Sequence, residues 1–214
     1  MHSSPPSVLR SGEQRLRALP EILRLPRRSP LHPQLARALT AAARLHDLRT
    51  DLQPVPVRPT ATTRQSGCYR LREADPIDLR VSRRYDRVPL SFLHELGHLI
   101  DHQLAPEPRR FASSGHLAFK AWRAAVRRLP SRVPERAGRS HRRYFDSRKE
   151  LWARSYAQTV LLRSGDPVLQ EHLDALQRAD DPFVWPEREF EPLSLEVEAV
   201  FDLLGLRLAV RVAA

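Results

Sequence analysis

Hydrophobic and polar positions alternate with two different periods along this chain, and the change of period divides it. Over residues 33–49, "PQLARALTAAARLHDLR", Leu35, Leu39, Ala42 and Leu45 recur at helical spacing behind Pro33, which predicts an amphipathic helix. "CYRLRE" and "IDLRVS" alternate apolar and polar residues around "ADP"; they read as two short strands joined by a turn. Pro89 and Ser91 then open a helix to about Leu104, and "PEPRR" ends it. Further helices are expected over 116–129, from Ser147 to about Arg163, over 167–178 with Asp166 as N-cap, and over 193–204. The tail "LRLAVRV" has the pattern of a strand. Residues 1–33 show no lasting period and read as a flexible, basic, Pro-rich arm with room for one short helix; residues 50–66 read as a Pro/Thr-rich linker. The pattern gives an α+β fold: a small sheet early, helices after it, in one domain over 34–214.

Composition narrows this. The chain has 214 residues, 19 Pro but only 7 Gly, so many connections are stiff. The formal charge is +11, from 36 basic and 25 acidic residues. That balance favours acidic partners, but the arginines are scattered rather than striped and no nucleic-acid motif appears. Cys68 is the only cysteine, which excludes an intrachain disulfide and a Cys-based zinc cluster; its strand position reads as a small buried hydrophobe. No apolar run reaches the ~18 residues of a membrane span. The N-terminus lacks the apolar core of a secretory signal. The expectation is a cytoplasmic protein by default, with export by a route without a cleaved signal left open.

The chemistry gathers in "SFLHELGHLIDHQL", residues 91–104. At about 100° per residue, His94, Glu95, His98, Asp101 and His102 share an arc roughly 120° wide, and Leu93, Leu96, Leu99, Ile100 and Leu104 lie opposite. His94 and His98 are i and i+4, so both rings can reach one ion. Glu95 sits where it can take a proton from a water bound to that ion, which is the logic of the H-E-x-x-H zinc peptidases. Two histidines leave the site one protein ligand short. His102 lies about 12 Å along the axis from His94 and cannot join it on one ion. A metzincin pattern would need Gly and His where Asp101 and Leu104 stand. Asp101 fits an outer role, orienting His98 from one turn away, or a capping one. A carboxylate from a later helix remains. Glu150 shares a face with Ala153 and Ala157, small residues that would let its helix approach the motif helix at Gly97. Spacing equally allows Glu150 to pair with Arg154 on the surface.

"HELGHLID", followed by "YFDSRKELWARSYAQTVLLRSGDPVLQEHL", resembles the anthrax lethal factor-like, gluzincin-type zinc peptidase domains over residues 77–178. The resemblance implies a zincin-like fold, with a small mixed sheet packed on the motif helix and a mostly helical C-terminal half. It implies Zn²⁺ held by His94, His98 and Glu150, Glu95 as general base, and Asp101 as the aspartate that follows the motif. It also implies a tyrosine that assists the transition state; Tyr144 is the match, one residue off the pattern, with His141 beside it as the other candidate. Arg154 stands where the pattern has an acidic residue. The implied activity is zinc metalloendopeptidase on a peptide or protein substrate, and a secreted or injected effector is compatible with it. "IDLRVS" is expected as the edge strand on which a peptide pairs. The competing reading is a non-catalytic basic module on the same fold, binding acidic protein or nucleic acid. Trp122, Trp152 and Trp185 are expected in the core, and "PFVWPEREFEP" as a loop covering it.

Overall fold

The computed structural model describes residues 18–48, 52, 54–62, 65–84, 86–107 and 110–207. In chain order the elements are α1 (Leu19–Ile22), β1 (Leu23–Arg24), α2 (His32–Leu45), β2 (Val55–Thr60), β3 (Gly67–Arg72), β4 (Asp75–Ser82), α3 (Val88–Gln103), α4 (Lys120–Val126), α5 (Arg139–Phe145), α6 (Arg148–Arg163), α7 (Pro167–Arg178) and α8 (Glu187–Leu203). Two short 3-10 turns, Ala112–Ser114 and Leu117–Phe119, precede α4. The fold is α+β, as the periodicity predicts.

The sheet has four strands in the order β1-β2-β4-β3. β2 runs parallel to both β1 and β4, while β3 is antiparallel to β4. Register places Val57, Leu79 and Tyr69 in one row and Val81 and Gly67 in the next. This face turns toward α3, with Val57, Leu79 and Val81 buried. The alternate positions Arg58, Arg70, Asp78 and Arg80 lie on the other face, as the two-residue period of a strand requires. There the Asp78 carboxylate is enclosed by Arg70 at 2.6 Å, Arg58 at 3.2 Å and Arg80 at 3.5 Å. The Arg70 hydrogen bonds hold its pKa below the usual carboxylate range.

Beneath the sheet, α3 and α6 make the most extensive helix–helix contact among the described residues. Leu93, Leu96, Leu99 and Ile100 from α3 meet Trp152, Tyr156 and Val160 from α6 in one buried cluster. Trp122 and Trp152 meet edge to face at 5.4 Å, and Trp185 stacks on Phe190 at 5.7 Å; all three tryptophans are core residues. Asp166 caps α7 by accepting from the N–H groups of Val168 and Leu169.

Several elements depart from the sequence expectation. Residues 18–33 are not a loose arm: Leu19, Ile22 and Leu23 are buried and β1 joins the sheet. Residues 1–17 of that expected arm lie outside the described residues. The expected linker 50–66 contains β2, an interior strand. Pro56 and Pro59 hid it, because a proline gives no ladder donor. "IDLRVS" lies within β4, which is interior; the sheet edges are β1 and β3, and β3 is the one beside the cleft. The helix expected over 116–129 is shorter, its first turns replaced by the 3-10 turn that the His116 side chain caps through Ala118. α8 starts at Glu187, before Pro192, because Phe190 is anchored on Trp185. Of the expected C-terminal strand only Leu206 and Arg207 are described, and Arg207 forms a single bridge with His46.

Candidate metal centre and its cleft

Gly97 decides how near α6 comes to α3. A Cβ at Gly97 would stand 3.0 Å from the Ala153 Cα and 3.1 Å from the Tyr156 ring. Trp152 Nε1 donates to the Gly97 carbonyl at 3.2 Å, which fixes the register of the two helices. Ala153 on α6 leaves the matching space. One turn before Ala153, Glu150 then projects at the polar face of α3.

The result is a convergence of three ligand atoms. His94 Nε2 lies 3.2 Å from Glu150 Oε2, His98 Nε2 lies 3.4 Å from Glu150 Oε1, and the two Nε2 atoms are 3.1 Å apart. The two rings stand nearly perpendicular, at 89°. An ion about 2.0–2.1 Å from each donor in tetrahedral geometry requires donor–donor edges of about 3.3 Å, and these separations, each imidazole to its nearer carboxylate oxygen, are on that scale. These three residues form a group that can hold a metal ion. Glu150 Oε1 and both Nδ1 atoms of the histidines are buried without a hydrogen-bond partner among the described residues. Unpaired buried donors and acceptors are costly, and coordination would satisfy the carboxylate. Burial pushes the Glu150 pKa up, but the two histidines outweigh it and hold the group well below the usual carboxylate range. At His98, burial is opposed by Glu150 and then by Glu95, and the net shift is upward.

Glu95 is buried beside this group, and its pKa is raised by that burial; His94 and His98 act against the shift and Glu150 with it. The edge strand positions its carboxylate. A Cβ on Gly67 would fall 2.5 Å from Glu95 Oε1, and the Tyr69 backbone N–H serves the carboxylate as a donor. Two residues on, Tyr69 OH pairs with His102 Nδ1 at 3.0 Å, pinning β3 to the end of α3. His102 thus fastens the strand and stands outside the three-ligand group, as helix geometry predicts.

A cleft of about 290 Å³ opens on this group, lined by Gly67, Tyr69, Glu95, His98, Tyr144 and Glu150, with Gln65, Cys68, Leu71, Phe111 and Lys149 completing its walls. Tyr144 is 54% exposed. Its phenol approaches Glu150, and burial of the hydroxyl end together with that negative charge raises its pKa. His141 does not line the cleft; it stacks on Phe145 at 5.9 Å.

Three expectations need correction. Asp101 does not bond His98. Its two oxygens accept from the Ser113 N–H and hydroxyl at 2.6 Å each, and burial raises its pKa to about 6. It ties α3 to the turn at Ala112–Ser114. Arg154 forms no surface pair with the Glu150 side chain. It is buried, its guanidinium 3.8 Å from the Phe145 ring centroid, and it donates to the Phe145 carbonyl at 2.7 Å. Cys68 is half-buried at the cleft wall, not in the core, and burial and then Glu95 raise its thiol pKa.

Gly67, Tyr69, Ser113, Phe111 and Lys149 escape sequence reasoning. Only Gly67 carried a usable signal, as a glycine heading a β-pattern where close approach is a standing reason for one. Among the described residues no helix is long and apolar enough to cross a membrane. No family model, curated protein or solved structure matches this chain.

Proposed function

We propose that this protein is a zinc-dependent metallopeptidase of zincin-like fold. The observation that carries the reading is the meeting of Glu150 with His94 and His98 at ligand-to-ligand spacing, next to a buried glutamate and at the floor of an open cleft. The donor set of two imidazoles and one carboxylate suits zinc, and three protein ligands leave a position for water. Bound zinc would supply Lewis acidity and lower the pKa of a water there.

The chain's own residues supply the rest. Glu95 takes the proton of the attacking water and delivers it to the leaving amine; its raised pKa suits a group that must both accept and release a proton. The Tyr144 phenol, kept protonated, donates to the oxygen that gains negative charge. β3 ends the sheet beside the cleft and offers backbone groups for pairing with an extended peptide. A purely structural metal site is the rival reading; such sites are closed by four protein ligands and have no use for Glu95.

Metal content by mass spectrometry and a peptide-library cleavage assay test this together. Wild type is expected to carry one zinc and to cleave. Glu95→Gln is expected to keep the metal and to lose at least about a hundredfold in rate, the scale of a general base. Glu150→Ala is expected to lose metal affinity. Wild-type turnover by Glu95→Gln would refute the mechanism, and full metal retention in Glu150→Ala would refute the ligand set.

A further inference from the structure

We propose that Lys149 makes this cleft select substrates carrying an acidic side chain next to the scissile bond. This rests on the peptidase reading and names the substrate class for the same site.

Lys149 precedes Glu150 on the first turn of α6, so the backbone that fixes the carboxylate at the two histidines fixes Lys149 as well. Its ammonium lies over two aromatic rings of the cleft, 5.5 Å from the centroid of Phe111 and 5.5 Å from that of Tyr144. Ring faces attract a cation but accept no strong hydrogen bond, and an ammonium has three N–H groups to place. Among the described residues no carboxylate stands within ion-pairing distance of Lys149. The two carboxylates of the cleft are engaged elsewhere: Glu150 with His94 and His98, Glu95 beneath the β3 backbone. The two rings hold the lysine in place, so a substrate carboxylate would meet a cation whose conformational freedom is already reduced, which lowers the entropic cost of the pair. Leu71 and Phe111 supply apolar wall for the methylene groups of such a side chain.

The helix that presents Tyr144 acts in the same sense. This helix, α5, carries Arg139, Arg142 and Arg143, all exposed. None of them pairs with a carboxylate among the described residues, and Arg142 donates to the Glu135 carbonyl. Exposed cations on the helix that carries Tyr144 attract acidic peptides and repel basic ones, so selection works through both signs.

The test compares wild type, Lys149→Met and Lys149→Glu on matched peptides with Glu, Ala or Lys at the positions flanking the cleaved bond. Metal content and thermal melting verify each protein. Wild type is expected to prefer Glu over Lys by about tenfold or more in kcat/KM at one position, the scale of a partly desolvated charge pair. Lys149→Met should bring the Glu-to-Ala ratio near one, and Lys149→Glu should invert the preference. Should neither variant fold, the wild-type Glu-to-Ala ratio must fall as salt rises from low to high ionic strength. Cleavage without acidic preference, or a preference that survives at Lys149→Met, overturns the proposal and leaves the peptidase reading intact. If wild type cleaves no peptide, the peptidase reading falls instead. Lys149 is then judged by binding of labelled Glu and Lys peptides to Glu95→Gln: a Glu preference lost with Lys149→Met keeps its selector role, and equal binding removes it.

Discussion

At the residue scale the contacts around Glu95 are the most demanding. A carboxylate whose Oε1 lies 2.5 Å from where a Gly67 Cβ would stand can occupy its position only over a glycine. Gly67→Ala is therefore expected to turn Glu95 aside while leaving His94, His98 and Glu150 in place. On the proposed peptidase reading, activity should fall at least about tenfold, since a misplaced base loses much of its 10²–10⁴ contribution, with zinc content unchanged. Activity at the wild-type level would show that Glu95 works from another position. H-E-x-x-H was legible at this scale, because i and i+4 place two rings side by side on any helix. The partner of Asp101 was not legible. Ser113 lies twelve residues on, in a turn with no period to announce it. Arg154 likewise looked like a surface partner for Glu150. Its burial between Phe145 and Trp185 follows only from where the 182–186 segment lies.

At the element scale, the site depends on how closely two helices approach. Gly97 lets the Ala153 backbone and the Tyr156 ring of α6 come directly against α3, and Trp152 Nε1 locks the register there. Gly97→Leu should destabilise the protein by about 3 kcal/mol, the upper range for overpacking a tight core. It should also weaken metal binding by moving Glu150 away from the histidines. Chemical denaturation and metal titration check both effects; unchanged metal affinity would mean that Glu150 reaches the site without this contact. Most helices were visible from their 3.6-residue period, with α7 announced by its Asp166 cap. β2 was not, since prolines at 56 and 59 mimic a linker. It is a strand because Val55 and Val57 are buried between β1 and β4, a reason that lies in its neighbours. The same limit misplaced the edge: periodicity identifies strands, but pairing order decides which one is last.

At the scale of the whole molecule, His46 ties the end of α2 to α6 and α8. It is fully buried, its Nε2 2.8 Å from Tyr156 OH, its ring stacked on Phe201 at 4.0 Å. Burial lowers its pKa to about 4 from 6.5, with a weaker opposing contribution from the Asp47 carbonyl. The unfolded chain thus binds a proton there between pH 6.5 and about 4 that the folded chain does not. Stability should fall as pH drops through this window and level off below it, by about 3 kcal/mol in total. Urea denaturation of wild type and His46→Asn across pH 7 to 4 measures it: the stability difference between the two should shrink on acidification. A difference independent of pH would place the titration elsewhere.

The sequence by itself determined the local elements and their chemistry: the helical and two-residue periods, the α7 cap, two imidazoles and a glutamate on one helix face, and the exclusion of His102 from any ion the first two histidines share. These follow from backbone geometry within one element, where a few neighbouring residues suffice. Only the tertiary structure decided which carboxylate meets the histidines, which strand borders the cleft, what Asp101 and Arg154 hold, and that Lys149 faces the cleft from between two rings. Each of those depends on groups far apart in the chain, brought together by packing around Gly97, Trp152 and the sheet, and no local period encodes such a distance.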